Sequence, residues 1–177
     1  KNDATRTGIF FVSYNIAKYM LLDNRVDLHI YCQKETKELT ISYFQKEFNQ
    51  NIQSRIAIEG DDLSNISIFL STVFTTPEYI KRFPQITCFT IIHDVIPLLF
   101  PHYFGAAINS WFEELVKGIN QNDFYFAVSE YTKQDFVKYV PAIDKQKITV
   151  IPLAADSRFY QNKDNKNLQK VKEKYKI

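Results

Sequence analysis

The fold of this chain is constrained most by short apolar runs that are rich in β-branched residues. Longer stretches, in which apolar residues recur at helical spacing, separate these runs. The first run alternates apolar and polar residues at period two, and the later runs are denser, as in strands buried on both faces. We expect strands at 26–32, 66–70, 86–92, 124–128 and 148–151, with a weaker candidate at 56–58.

Helical patterns fill the intervals between these runs. The clearest is 104–121, where apolar residues recur at spacings of three and four. Thr76-Pro77 resembles an N-cap followed by proline at the first helical position, which predicts another helix start. Further helices are expected around 9–20, 39–48, 136–140 and 168–175. Strands that alternate with helices indicate an α/β fold: a Rossmann-like, mostly parallel sheet with helices on both faces.

Size and charge narrow the class of protein. A chain of 177 residues with 45% hydrophobic residues fits one domain with a substantial core and excludes a disordered chain. The net charge is +2, but it is unevenly distributed. The tail (161–177) has six lysines together with Asp164 and Glu173, so its net charge is +4, and residues 1–160 have a net charge of −2. This distribution argues against a nucleic-acid partner, since such proteins carry basic patches on the folded body.

The Lys-rich tail predicts a solvated helix, and the alternative is attraction to an anionic membrane surface. No apolar run is long enough to cross a bilayer. We therefore expect a cytoplasmic protein, with peripheral contact at the inner face of the membrane as the alternative. Cys32 and Cys88 lie in apolar runs without metal-ligand spacing and are expected to be buried free thiols.

Candidate functional residues follow the predicted strands, because parallel sheets bind ligands at the carboxyl ends of their strands. His93-Asp94 follows one strand, and Ser129 and Thr132 follow the next, where either can cap a helix whose free N–H groups could hold an anion. His93 is equally well a structural histidine, and Asp94 either orients it or caps the loop. Gly8 opens the first helix and allows a ligand close to the backbone. Nicotinamide, P-loop and zinc mechanisms have no motif here.

Taken together, the segments at the start of the first helix and after the predicted strands resemble those of a known family. They are Thr-Gly-Ile at 7–9, Ile-His-Asp-Val-Ile-Pro at 92–97, Phe-Pro-His-Tyr-Phe at 100–104, Phe-Ala-Val-Ser-Glu-Tyr-Thr-Lys at 126–133 and Ile-Thr-Val-Ile-Pro-Leu-Ala-Ala-Asp at 148–156. In this order and spacing, residues 5–160 resemble the N-terminal, acceptor-side half of family-4 glycosyltransferases, retaining enzymes of the GT-B fold. Residues 161–177 resemble the linker toward the C-terminal donor domain, and both ends of the chain look cut.

The resemblance implies a site and a reaction. It implies transfer of a sugar from a nucleotide sugar to a glycan or lipid-linked acceptor, with retention and without a metal, in surface polysaccharide or glycoconjugate synthesis. The implied roles are catalysis for His93 and Asp94, donor or diphosphate binding for Gly8, Ser129 and Glu130, and acceptor binding for Thr7 and Tyr103. Because the donor domain would follow Ile177, the isolated chain is expected to be inactive.

Two other hypotheses stay open. The chain is alternatively a non-catalytic, acceptor-binding subunit that works with a separate donor-binding chain. It is also compatible with half of a nucleotide-sugar epimerase, since those enzymes share the GT-B architecture.

Overall fold

A computed structural model describes residues 7–73, 75–140, 143–155 and 164–177. The strands are β1 (Ile30–Tyr31), β2 (Ile56–Ala57), β3 (Ile68–Ser71), β4 (Thr87–Ile92), β5 (Phe124–Ala127) and β6 (Ile148–Val150). The helices are α1 (Gly8–Leu22), α2 (Lys37–Phe48), α3 (Ile96–Leu99), α4 (Ala106–Lys117), α5 (Glu130–Tyr139) and α6 (Asn165–Tyr175). The α/β fold class is therefore confirmed.

The main sheet is parallel throughout and has the order β3-β4-β5-β6. β1 and β2 form a second, two-stranded parallel sheet. Ile92 pairs with Ala127, the last residue of β5, so β4 and β5 end level with each other. This register brings the residues that follow both strands, His93 and Ser129, to one edge of the main sheet. With its flanking helices, this sheet is a Rossmann-like half-domain.

The largest core cluster lies between the main sheet and helices α4 and α5. Phe112 of α4 and Phe136 of α5 are almost fully buried there, beside Tyr125 of β5 and Ile148 of β6. Two smaller clusters lie around β1 and β2, one shared with β3 and β4 and the other with α1 and α2. These clusters fix the strand ends that carry the candidate site.

The helix predicted from Thr76-Pro77 is wrong. Only a single 3₁₀ turn, Ile80–Arg82, forms in that interval. Thr76 is 4% exposed, and its Oγ1 donates to Asp123 Oδ2 at 2.9 Å. The hydroxyl therefore satisfies a buried carboxylate instead of capping a helix, which holds this segment against the start of β5.

Several boundaries also differ from the sequence pattern. The run at 26–32 pairs only over Ile30–Tyr31, and the helix expected at 104–121 covers Ala106–Lys117. Ile108 and Trp111 are about half exposed, at 47% and 54%, so the apolar stripe of α4 is only partly buried. Both cysteines are free thiols, and Cys88 is the buried one.

The tail forms the exposed helix α6. Every residue from 164 to 177 is exposed, including the stripe of Leu168, Val171 and Tyr175. This agrees with the prediction of a solvated helix. In the described part of the chain, no helix combines the length and apolar character needed to cross a membrane.

Candidate functional site

His93 lies at the carboxyl edge of the main sheet, immediately after β4, and is half-buried. Its Nε2 atom is 2.9 Å from the carbonyl oxygen of Thr72, which follows β3. A carbonyl oxygen only accepts hydrogen bonds, so Nε2 must carry the proton. In the neutral ring Nδ1 is then an acceptor, and it makes no hydrogen bond within the described residues.

The side chain of Thr72 connects His93 to the first helix. The hydroxyl oxygens of Thr72 and Ser13 are 2.7 Å apart, and Ser13 also donates to the carbonyl oxygen of Ile9 in the preceding turn of α1. Ser13 is five positions after Gly8, which is about 7.5 Å along a helix at 1.5 Å per residue. The N-terminal half of α1 therefore lies at the edge that carries His93.

A second set of contacts leads from His93 to α5. Thr132 donates its hydroxyl proton toward the carbonyl oxygen of His93 at 3.3 Å. Ser129 is the N-cap of α5, where its Oγ accepts from Thr132 N at 3.0 Å. The capping role expected for Ser129 is confirmed. Polar groups of α1, β3, β4 and α5 thus converge on His93. We call this group of residues the His93 junction (Ser13, Thr72, His93, Ser129 and Thr132).

Asp94 acts on the loop that follows. Its Oδ1 accepts from Ile96 N at 2.9 Å, at the start of the short helix α3. The carboxylate makes no hydrogen bond to the His93 ring in the described part of the chain. Of the two roles considered for Asp94, this geometry supports loop capping.

Gly8 and Thr7 stand at the exposed N-terminus of α1. Thr7 Oγ1 accepts from Phe10 N at 3.4 Å, so this side chain caps the helix. A Cβ added to Gly8 would meet no atom within 4 Å, and the surface beside its backbone is open. No acidic residue lies in the first turn of α1, so that turn itself places no negative charge at the positive end of the helix dipole.

Glu130 gives the N-terminus of α5 the opposite character. It is the exposed first residue of that helix, and its carboxylate compensates the helix dipole. A negative charge there opposes a diphosphate and suits the hydroxyl groups of a sugar. Of the N-termini of α1 and α5, that of α1 is therefore electrostatically the more favourable to an anion.

Tyr103 lies apart from these contacts, in the 3₁₀ turn Pro101–Tyr103 that follows α3. Its ring is 76% exposed and stands 4.2 Å, centroid to centroid, from the ring of His102. No contact joins Tyr103 to the His93 junction within the described residues. The side chain offers an aromatic face to a ligand, but the structure does not bring it to His93.

A cavity of about 450 Å³ opens beyond the ends of β1 and β2. Its lining is about equally polar and apolar and includes side chains of both charges: Tyr31, Cys32, Gln33, Lys34, Glu35 and Glu59. The sequence analysis did not identify this cavity, nor the roles of Thr72 and Ser13. The rule that ligands bind after parallel strands would have indicated Thr72, because it directly follows β3.

Comparison of the chain with protein-family models, with curated proteins and with solved structures found no match.

Proposed function

We propose that this chain is the acceptor-side half of a retaining glycosyltransferase that uses a nucleotide sugar. The observation that carries the proposal is the orientation of His93: its Nε2–H donates to the Thr72 carbonyl oxygen, and its Nδ1 has no hydrogen-bond partner among the described residues. A ring held in this way accepts a hydrogen bond from a sugar hydroxyl. The resemblance of the strand-to-helix junctions to family-4 glycosyltransferases supports the same proposal.

The reaction requires a group that stabilises the negative charge of the leaving diphosphate. The bond between the anomeric carbon and the diphosphate breaks, and its electron pair leaves with the diphosphate. The acceptor oxygen forms the new bond on the same face, and its proton passes to the departing phosphate. Negative charge grows on the diphosphate, and a helix N-terminus stabilises it without a metal.

The charges of the two helix N-termini suggest where each part of the donor binds. We assign the diphosphate to the start of α1, where Gly8 meets open space among the described residues and the first turn holds no acidic side chain. Ser129 and Glu130 at the start of α5 then face the hydroxyl groups of the sugar. Hydrogen bonds connect His93 to both positions, through Thr72 to α1 and through Thr132 to α5. In this proposal, His93 acts by holding the sugar.

An acceptor-binding subunit without activity of its own is the second candidate. The cavity after β1 and β2 supports acceptor binding in either candidate, because about 450 Å³ lies within the volume range of small-ligand sites. In that case a separate chain supplies the donor domain. In both versions the partner is a glycan or lipid-linked acceptor in surface polysaccharide or glycoconjugate synthesis, and Tyr103 and Thr7 are candidate contacts.

The test is sugar transfer by the product of the complete open reading frame, with labelled nucleotide sugars. We expect His93→Ala to lower turnover about 10²-fold, the scale of losing one positioned group. His29→Ala is the matched control, since the one hydrogen bond of the His29 ring within the described residues goes to the exposed Asp27 side chain, and it should change turnover less than about threefold. Equal effects of the two variants would contradict the assignment of His93.

Gly8→Ala separates binding from folding. The added methyl group meets no protein atom within 4 Å, so the fold should be unaffected. If the diphosphate lies against this backbone, the KM for the nucleotide sugar should rise at least about tenfold. The 177-residue chain alone should fold and transfer no sugar. Activity that appears only after a separate donor-domain chain is added would favour the second candidate.

A further inference from the structure

The hydroxyl group of Ser71, the last residue of β3, bonds the backbone of the turn that follows the strand. Ser71 is 9% exposed and directly precedes Thr72 of the His93 junction. Its Oγ accepts from Val73 N at 3.2 Å and donates to the carbonyl oxygen of Val73. A serine hydroxyl that bonds nearby backbone groups in this way fixes a local turn.

The peptide group between Thr72 and Val73 connects this hydroxyl to His93. A peptide group is planar, and in the trans form its carbonyl and its N–H point in opposite directions. The N–H of this group donates to Ser71 Oγ, and its oxygen accepts from His93 Nε2 at 2.9 Å. The direction of the N–H therefore sets the direction of the carbonyl that holds the ring.

Removal of the Ser71 hydroxyl would leave the Val73 N–H without this acceptor. The carbonyl oxygen of Val73 keeps a second donor, Thr75 N at 2.7 Å, so the loss falls on the N–H. Val73 is 36% exposed, which allows its N–H to turn toward water. Because the peptide group turns as a unit, this movement takes the Thr72 carbonyl away from His93.

Thr90 in the neighbouring strand provides a contrast. It is the register partner of Ser71 in β4, so the two side chains lie on the same face of the sheet. Thr90 is 1% exposed and only three positions before His93. Its Oγ1 makes no hydrogen bond within the described residues. Burial close to the site is common to both hydroxyls, and what distinguishes Ser71 is its contact with Val73.

We propose that Ser71 is a positioning residue for His93, because its hydroxyl fixes the peptide group whose carbonyl oxygen holds the Nε2–H of the ring. Ser71 acts through this peptide group and through the ring, and it touches no ligand itself. That the ring then accepts a hydrogen bond from a sugar rests on the proposed function. The orientation of the ring by Ser71 does not.

NMR of the 177-residue chain with nitrogen-labelled histidine tests the proposal directly. The Nε2 proton of His93 should give a resolved signal, because its hydrogen bond slows exchange with water. Ser71→Ala should speed this exchange about fivefold or more, the scale of one net hydrogen bond. The tautomer ratio of His93 should also move toward that of the exposed His102.

Three variants serve as controls for this measurement. Thr90→Val removes the neighbouring buried hydroxyl and should leave the His93 signals unchanged. Ile148→Val lowers stability in the core of β6 and should also leave them unchanged. Ser71→Thr keeps the hydroxyl on a side chain that strands favour and should retain the slow exchange. Unchanged His93 signals in Ser71→Ala, or equal changes in Thr90→Val or Ile148→Val, would overturn the proposal.

A double-mutant cycle in the product of the complete open reading frame tests whether Ser71 acts through His93. Ser71→Ala alone should lower turnover about fivefold. On a His93→Ala background it should cause no further loss, because the ring that it positions is absent. Equal losses in both backgrounds would show a merely structural role and contradict the proposal. If the product transfers no sugar, the proposed function fails, while the NMR comparison still decides the role of Ser71.

Discussion

The Nε2 atom of His93 lies 2.9 Å from the carbonyl oxygen of Thr72, 21 positions earlier in the chain. This contact joins the ends of two adjacent strands, because His93 follows β4 and Thr72 follows β3. A backbone carbonyl cannot donate, so the geometry fixes which ring nitrogen carries the proton. In the neutral ring Nδ1 is then an acceptor, and it makes no hydrogen bond to the residues that the structure describes.

The first prediction concerns this tautomer. In the 177-residue chain at alkaline pH, nitrogen NMR of labelled histidine should show His93 protonated on Nε2 and unprotonated on Nδ1. The exposed His102 should show the usual tautomer mixture and serves as the internal control. An Nδ1-protonated His93 would contradict the contact and remove the main support for sugar binding by this ring.

The second prediction compares two helix caps. Ser129→Ala removes the acceptor of Thr132 N at 3.0 Å in a half-buried site and should lower the free energy of unfolding by about 1 kcal/mol. Thr7→Ala removes a longer, exposed hydrogen bond of 3.4 Å and should cost less. Denaturant unfolding measures both values. A larger loss for Thr7→Ala would mean that the start of α1 is more tightly held than its exposure indicates.

Local patterns in the sequence predicted the parts of this fold that depend on local residues. β4 and β5 form within the dense apolar runs, and Ser129 caps α5 as its position after a strand suggests. The placement of His93 and Ser129 at one edge was also predictable, because parallel strands that end level bring the residues that follow them together.

The remaining features depend on contacts between distant residues. Thr76 has the sequence of a helix cap, but it bonds a carboxylate 47 positions later, and nothing near Thr76 signals Asp123. Ser13 meets Thr72 across 59 positions. A single sequence carries no information on such pairs, so the helix at Thr76 was predicted wrongly and the full His93 junction was not predicted.

The third prediction concerns pH. Burial raises the pKa of the Asp123 carboxyl above its ordinary value of 3.8, and the hydrogen bond from Thr76 opposes this only in part. The folded state therefore binds this proton more tightly than the unfolded state does. The stabilisation is fully present below pH 3.8 and is lost as the pH rises through the folded pKa.

Asp123→Asn isolates this effect, because the amide stays neutral and can still accept from Thr76. The free energy of unfolding of the variant, relative to the unsubstituted protein, should rise between about pH 4 and the folded pKa and then level off. Each tenfold difference in proton affinity between the folded and unfolded states contributes about 1.4 kcal/mol to this rise. Urea unfolding at several pH values measures the difference. A difference that falls as the pH rises would show that Thr76 and the nearby lysines hold the pKa down instead.

The last prediction concerns α6. Its Leu168, Val171 and Tyr175 are 39%, 49% and 63% exposed, so the apolar stripe makes little contact with the rest of the described chain. The helix has 11 residues, and isolated helices shorter than about 12–15 residues are marginal in water. Its amides should therefore exchange much faster than those of α4, where Phe112 is 2% exposed.

Deletion of residues 164–177 should leave the melting temperature within about 1 °C, since little buried apolar area is lost. Equal protection of α6 and α4, together with a large fall in melting temperature on deletion, would show that the tail belongs to the core and is not a link toward another domain.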